Sequence, residues 1–215
     1  MAVQAKICGI NDAVAMHAAI DGGADFVGLV FYPPSPRNVP PDVAAPLAEL
    51  VPNDITRVGL FVDPDDALIE AARDAAGLDM AQLHGNESPA RCDEVRQRFG
   101  LPVMKALKIA EAADLDAVDA YAGHVDWLMF DAKAPADMKG ALPGGNALAF
   151  EWALLSGRSF SRPWMLAGGL NPANIAEAVR ISGAAAVDVS SGVEAAPGKK
   201  DPAKIAAFLA AVRAL

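Results

Sequence analysis

This chain of 215 residues is poor in histidine and cysteine, with three of one and two of the other. Cys8 and Cys92 stand far apart and share no metal-ligand spacing, and two cysteines in a chain this long make no disulfide framework. No apolar run reaches the length of a membrane span. The opening stretch Met1–Lys6 has no long apolar segment, so no signal peptide is expected. Basic charge is short as well: 18 Lys and Arg face 27 Asp and Glu, for a formal net charge of −9. That disfavours nucleic acid as a partner, because its binding proteins carry basic patches. It also means that any anionic ligand is held by local groups against the overall field. With 53% hydrophobic and 21% charged residues, what remains has the balance of a globular protein with a real core. It reads as soluble and cytoplasmic.

Short β-rich runs recur along the chain, beginning near Val3, Asp25, Thr56, Asp79, Pro102, Asp126, Trp164 and Ala185. Amphipathic stretches lie between them: Asn11–Asp21, Pro64–Ala76, Ser88–Phe99, Glu111–Tyr121, Pro172–Ile181 and Asp201–Val212. Asp63-Pro64, Ser88-Pro89, Asn171-Pro172 and Asp201-Pro202 each put a capping side chain before a proline at the first helical position. Strand–helix alternation sustained eight times predicts a parallel sheet closed into a single (βα)8, or TIM, barrel domain over residues 1–215. A doubly wound open sheet is the alternative, but no Gly-x-Gly-x-x-Gly follows the first strand to support it. Two connections are long, the proline-rich Tyr32–Pro41 after strand two and residues 132–149 after strand six. Both follow carboxyl ends of strands, where barrel active sites are built.

The strand ends carry the chemistry. Strand one ends at Cys8, with Gly9 next and Asn11-Asp12 opening a helix. A thiol there can be a nucleophile or a base, since its pKa is tunable, although free cysteine is also a common apolar filler. Strand six ends at Asp131 after an apolar run, where a carboxyl group can be kept protonated as a general acid or can simply cap a turn. Gly168-Gly169 and Ser190-Ser191-Gly192 follow strands seven and eight, the usual phosphate site of such barrels. Lys6 and Cys8 share parity on strand one, as Asp188 and Ser190 do on strand eight. Those strands are neighbours in a closed barrel, so Lys6 is expected to pair with Asp188 inside it. Arg37, in the proline-stiffened loop, either makes a bidentate contact with a carboxylate or phosphate or is a solvated surface arginine. His84 is either a proton shuttle or a hydrogen-bonding wall residue. Cys92 lies mid-helix and reads as packing.

These motifs resemble the phosphoribosylanthranilate isomerase family. The resemblance rests on Lys6–Ile10, Gly28–Phe31 with Ser35–Arg37, Gln82–Gly85, Phe130-Asp131, Ala167–Pro172 and Asp188–Glu194, with Pro197-Gly198 and Lys200-Asp201 beyond them. The matches run in order over the whole chain. The family fold is a (βα)8 barrel. The resemblance implies an Amadori rearrangement of N-(5-phosphoribosyl)anthranilate to 1-(2-carboxyphenylamino)-1-deoxyribulose 5-phosphate in tryptophan biosynthesis. It implies Cys8 as general base and Asp131 as general acid, with Arg37 on the anthranilate carboxylate. The phosphate falls to Gly168, Gly169, Ser190, Ser191 and Gly192, and Asp188 lies near the substrate amine. His84 stands with the substrate-binding residues. No metal or other cofactor is implied, and the protein is expected to act as a monomer or homodimer. Ala167 departs from the serine usual in the family, a small change at the edge of the phosphate loop.

Rival barrels fit less well. The related isomerase of histidine biosynthesis usually has aspartate where Cys8 stands. Sugar-phosphate epimerases usually show metal-binding histidines and aspartates, and indole-glycerol-phosphate synthase needs a differently placed lysine and glutamate. A non-catalytic barrel would be expected to have lost Cys8 or Asp131, and both are present.

Overall fold

The computed structural model describes residues 2–135, 142–146 and 148–215. Part of the long connection after strand six, residues 136–141 and 147, lies outside that description. Eight parallel strands close into a barrel in chain order: β1 (Gln4–Cys8), β2 (Phe26–Phe31), β3 (Thr56–Phe61), β4 (Met80–Leu83), β5 (Val103–Ile109), β6 (Trp127–Ala132), β7 (Trp164–Leu166) and β8 (Ala186–Val189). The helices are α1 (Ala13–Asp21), α2 (Pro41–Ala48), α3 (Asp66–Ala76), α4 (Pro89–Phe99), the single turn α5 (Val118–Tyr121), α6 (Ile175–Ser182) and α7 (Pro202–Arg213). A small antiparallel hairpin, β9 (Glu194–Ala196) and β10 (Lys199–Lys200), stands between β8 and α7.

The strands are apolar on both faces because both are covered, and all six residues of β2 are buried. Alternate side chains go inward and outward. Phe26, Val58, Met80, Met104, Met129 and Met165 fill the barrel interior, where unbranched thioethers adapt to irregular space. Residues of the other parity, such as Ile7, Val27, Leu29 and Phe61, join Ile69, Val95 and Phe208 from the helices in an outer core. At the amino-terminal rim a device repeats. Asp25, Asp79 and Asp126 each precede a strand, and each carboxylate accepts a backbone N–H from the strand before: Ala5 at 2.8 Å, Arg57 at 2.9 Å and Val103 at 2.9 Å.

Capping follows the sequence in part. Ser88 Oγ accepts from Arg91 N at 3.2 Å, and Asp201 Oδ1 from Ala203 N at 2.9 Å. Asp63 is not a cap. Its φ is +46°, in the left-handed region, and its carboxylate accepts the N–H of Asn86 at 2.7 Å. The cap of α3 is Asp65, which accepts from Leu68 N at 2.8 Å. Asn171 likewise turns its Oδ1 to Ala173 N at 2.9 Å, a local turn that delays α6 to Ile175. The predicted helix 111–121 winds as a 3₁₀ segment over Ala112–Ala117 before α5, its start held by the Asp114 carboxylate. The helix α2 had no counterpart in the sequence reading. Between β6 and β7 the described residues hold only a 3₁₀ turn, Trp152–Leu155.

The expected pair inside the barrel is present. Lys6 and Asp188 are register partners on β1 and β8, with Nζ 2.8 Å from Oδ1 and the lysine fully buried. Gly28, opposite Cys8 on β2, is glycine because this space is taken: a Cβ there would lie 3.0 Å from Lys6 Nζ and 3.1 Å from Cys8 Sγ. Removing one partner of such a pair strands a buried charge. Lys6→Met is therefore expected to cost about 3–5 kcal/mol in urea unfolding. Adding Asp188→Leu should return much of that loss, and a double variant no more stable than the single one would show that the pair itself is not what Lys6 supplies.

Candidate active site

A cleft opens at the carboxyl ends of the strands, the end at which barrel sites are built. Cys8, Arg37, His84, Asp131, Gly168, Gly169, Asp188, Ser190 and Ser191 all line it. Gly192 does not. It sits behind the cleft, where a Cβ would run into the carbonyl of Leu170. The barrel geometry makes this convergence. Cys8, His84, Asp131 and Asp188 have the inward parity of their strands at the same end of the ring.

Cys8 is 3% exposed. Burial pushes its thiol up, Lys6 pulls it back, Asp188 raises it again and Lys200 lowers it; the net direction is up. Lys6 is desolvated too, but Asp188 and the neighbouring sulfur outweigh this and hold its ammonium above the ordinary lysine value. Cys92, on α4, is inert packing, its thiol pushed by burial up to about 11.

Across the mouth Asp131 accepts the N–H of Ala132 on Oδ1 at 2.9 Å and faces His84 Nε2 with Oδ2 at 3.0 Å. His84 Nδ1 in turn lies 2.8 Å from Gln82 Nε2. The strand end that carries His84 is braced from outside the barrel. Lys105 Nζ donates to Gly85 O and to Glu87 Oε2, both at 2.8 Å, while Glu87 Oε1 accepts the backbone N–H of Asp63 and Gly85.

Two loops offer backbone amides. Gly168 and Gly169 have φ of +86° and +65°, conformations that glycine adopts freely. The carbonyl of Gly169 accepts from Asn174 Nδ2 at 2.9 Å, which ties the loop to the start of α6. Ser190 is held by Lys200, whose Nζ donates to its carbonyl at 3.0 Å and to its Oγ at 3.3 Å. Ala167, the departure from the family pattern, is buried in the inner layer.

Arg37 is the largest departure from expectation. It is not a free fork awaiting a ligand. Its Nε and Nη2 are held by Glu194 at 2.7 Å and 2.9 Å, and Nη2 also donates to Gly145 O at 3.2 Å. The third nitrogen, Nη1, lies on the edge away from Glu194 and runs beside Gly145, where a Cβ would come within 2.6 Å of it. Lys200 completes the cluster with a third contact, 2.8 Å to Glu194 Oε1. Burial works against the Glu194 carboxylate, but Arg37 and Lys200 hold it below the ordinary value. Glu194, Lys200 and Gln82 stand in the matched motifs without a role read from the sequence. The signal for Glu194 was chemical: a buried guanidinium needs a carboxylate.

Eight parallel strands with such a mouth at their carboxyl ends define a (βα)8-barrel enzyme. The comparisons narrow this. A family model described as N-(5'phosphoribosyl)anthranilate (PRA) isomerase matches residues 5–211, and the chain belongs to that family. It is 62% identical to the N-(5'-phosphoribosyl)anthranilate isomerase of Paramagnetospirillum magneticum, over 99% of this chain and 98% of that protein. The crystal structure of phosphoribosyl anthranilate isomerase from Thermotoga maritima superposes with a TM-score of 0.88 at 34% identity, covering 99% and 100% of the two chains. A solved structure of phosphoribosyl anthranilate isomerase in complex with reduced 1-(O-carboxyphenylamino)-1-deoxyribulose 5-phosphate has a TM-score of 0.84 at 33% identity, with the same coverage.

The buried thiol makes a testable statement. Alkylation follows the thiolate, so a raised pKa means that Cys8 labelling by iodoacetamide keeps accelerating with pH beyond the ordinary thiol range of about 8.5. Lys6→Met, which removes the adjacent cation, should move that rise higher still. Peptide mass mapping separates Cys8 from Cys92. A rate already level below pH 8 would contradict the dominance of burial.

Proposed function

We propose that this enzyme isomerises N-(5'-phosphoribosyl)anthranilate to 1-(2-carboxyphenylamino)-1-deoxyribulose 5-phosphate in tryptophan biosynthesis. The observation that carries the reading is the placement of Cys8 and Asp131 on opposite walls of one cleft, beneath two glycine-bearing loops. An Amadori rearrangement needs one group that gives a proton and another that takes one, and the two must not neutralise each other directly. Asp131 gives its proton to the ring oxygen, and the furanose opens to a Schiff base. Cys8, as thiolate, removes the proton from C2, and the resulting enolamine relaxes to the ketone.

The raised pKa of Cys8 cuts both ways. Few molecules hold the thiolate at neutral pH, but each one that does is a stronger base toward carbon. Lys6 keeps that thiolate accessible by placing a fixed cation beside it. The loops at Gly168-Gly169 and Ser190-Ser191 receive the phosphate through backbone N–H groups. Their grip offsets the repulsion expected from a net charge of −9. Arg37, aimed by Glu194, meets the anthranilate carboxylate with Nη1, and Asp188 stands near the substrate amine. The chain works as one domain in the cytoplasm, as a monomer or homodimer, on a small molecule and without nucleic acid or membrane. Among the described residues, no helix is long and apolar enough to cross a membrane.

Cys8→Ser and Asp131→Asn should each lower turnover at least about a hundredfold, the scale of one general acid–base group, with circular dichroism unchanged. The assay follows loss of phosphoribosylanthranilate fluorescence with purified protein. No loss above background in the wild type would refute the activity, and near-normal turnover in Cys8→Ser would remove the thiolate from the mechanism.

A further inference from the structure

Gln82 is fully buried on β4, directly below His84, and its amide is only half satisfied. Nε2 lies 2.8 Å from His84 Nδ1 and 3.3 Å from Met129 Sδ. Oε1 is buried with no hydrogen-bond partner among the described residues. An orphaned acceptor in a barrel core is costly. The shape of an amide does not distinguish its two orientations, so hydrogen bonding alone decides between them.

The two orientations demand different protons on the imidazole. With Nε2 toward Nδ1, Nδ1 is an acceptor, His84 carries Nε2–H, and that N–H donates to Asp131 Oδ2. Asp131 is then an ionised acceptor on both oxygens, receiving Ala132 N on Oδ1 as well. With the amide turned over, Oε1 accepts an Nδ1–H, the Nε2 lone pair faces Asp131, and a protonated Asp131 donates to it. Only this second arrangement leaves Asp131 holding a proton to give. Gly144 roofs the contact, since a Cβ there would lie 2.7 Å from His84 Nε2 and 2.9 Å from Asp131 Oδ2.

We propose that Gln82 is a positioning residue that selects the protonation state of the His84–Asp131 pair through the orientation of its amide. The carbonyl orientation holds the pair in its proton-bearing form and the amino orientation in its spent form. This rests on the reading of Asp131 as the general acid. The other titratable groups among the described residues of the cleft are Cys8, Tyr32, Arg37 and Asp188. Asp188 is paired with Lys6 and Arg37 with Glu194. On β5, Lys105 is taken up by Glu87 and Lys108 stands in register with Asp131. Among the described residues none of these hydrogen-bonds to Nδ1, whose partner is Gln82.

The test combines nitrogen-15 NMR of the histidine rings with the pH dependence of kcat in the wild type, Gln82→Met and Gln82→Glu. Three histidines are present, and His84→Asn assigns the one that matters. In the wild type, His84 should pass with rising pH from an Nδ1-protonated to an Nε2–H form, at the midpoint of one limb of the kcat profile. Gln82→Met removes the acceptor and should lower that midpoint and that limb by about one pH unit, the scale of one hydrogen bond. Gln82→Glu should raise both. The other limb stays fixed and KM stays within about twofold, since the amide does not touch substrate.

A His84 that remains Nε2–H throughout the active pH range overturns the proposal from the wild type alone, whether or not the variants fold. So does a profile scaled down in both variants with neither limb moved, which is what a space-filling glutamine would give. If the tautomer follows pH but Asp131→Asn keeps its turnover, the acid assignment has failed and the amide's catalytic role falls with it, while the NMR still shows the switch.

Discussion

An ammonium group fully buried inside a barrel must be neutralised where it stands. Lys6 meets that requirement with Asp188 at 2.8 Å, across the seam where the first strand joins the last. Much of the site depends on that contact. It occupies the space that makes position 28 glycine, and it puts a fixed cation beside Cys8 and a fixed anion just beyond. The thiol therefore lies in a balanced field rather than in a merely greasy one. Its proton affinity is set by burial first and trimmed by Lys6, Asp188 and Lys200 in turn.

A second cluster of buried charge does the same service for the loops. Glu194 takes two nitrogens on one edge of Arg37 and the ammonium of Lys200, and Lys200 passes the restraint to Ser190. Gly198 extends it. Its N–H lies 3.3 Å from Glu194 Oε2, its carbonyl accepts from Asn11, and its backbone packs against that of Pro36 so closely that a side chain has no room. The loop after β2 and the hairpin after β8 are thus one assembly, and an arginine that looks like a mobile fork is held on a rigid mount.

The barrel was legible because the strand–helix rhythm is strong and the strand ends are unusually polar. Lys6 with Asp188 was legible because parity and ring closure fix two neighbours without any knowledge of loops. Local punctuation misled where a second partner competed. Asp63 precedes a proline like a cap, yet Asn86 claims its carboxylate, and Asn171 spends its side chain on its own turn. Arg37 was read as free because Glu194 lies 157 residues away and on another element. Gln82 belongs to the run Gln82–Gly85 that carries the resemblance, but it has no role there, because nothing in the sequence shows that its amide meets His84. That its Oε1 has no hydrogen-bond partner among the described residues follows from the packing of the barrel, not from the strand itself.

The distance in sequence between Lys6 and Asp188, 182 residues, bears on how the protein is made. On the ribosome the first strand emerges carrying a charge whose partner has not yet been synthesised. Early βα units can collapse against one another through their outer faces, but the inner face of β1 stays hydrated until β8 arrives. The Cys8 sulfur is therefore unburied until then, an ordinary thiol in water. It becomes the buried, reluctant one only when the ring shuts. Closure is thus the moment of maturation, and a chain truncated short of its last strand would have neither a finished barrel nor a protected cysteine.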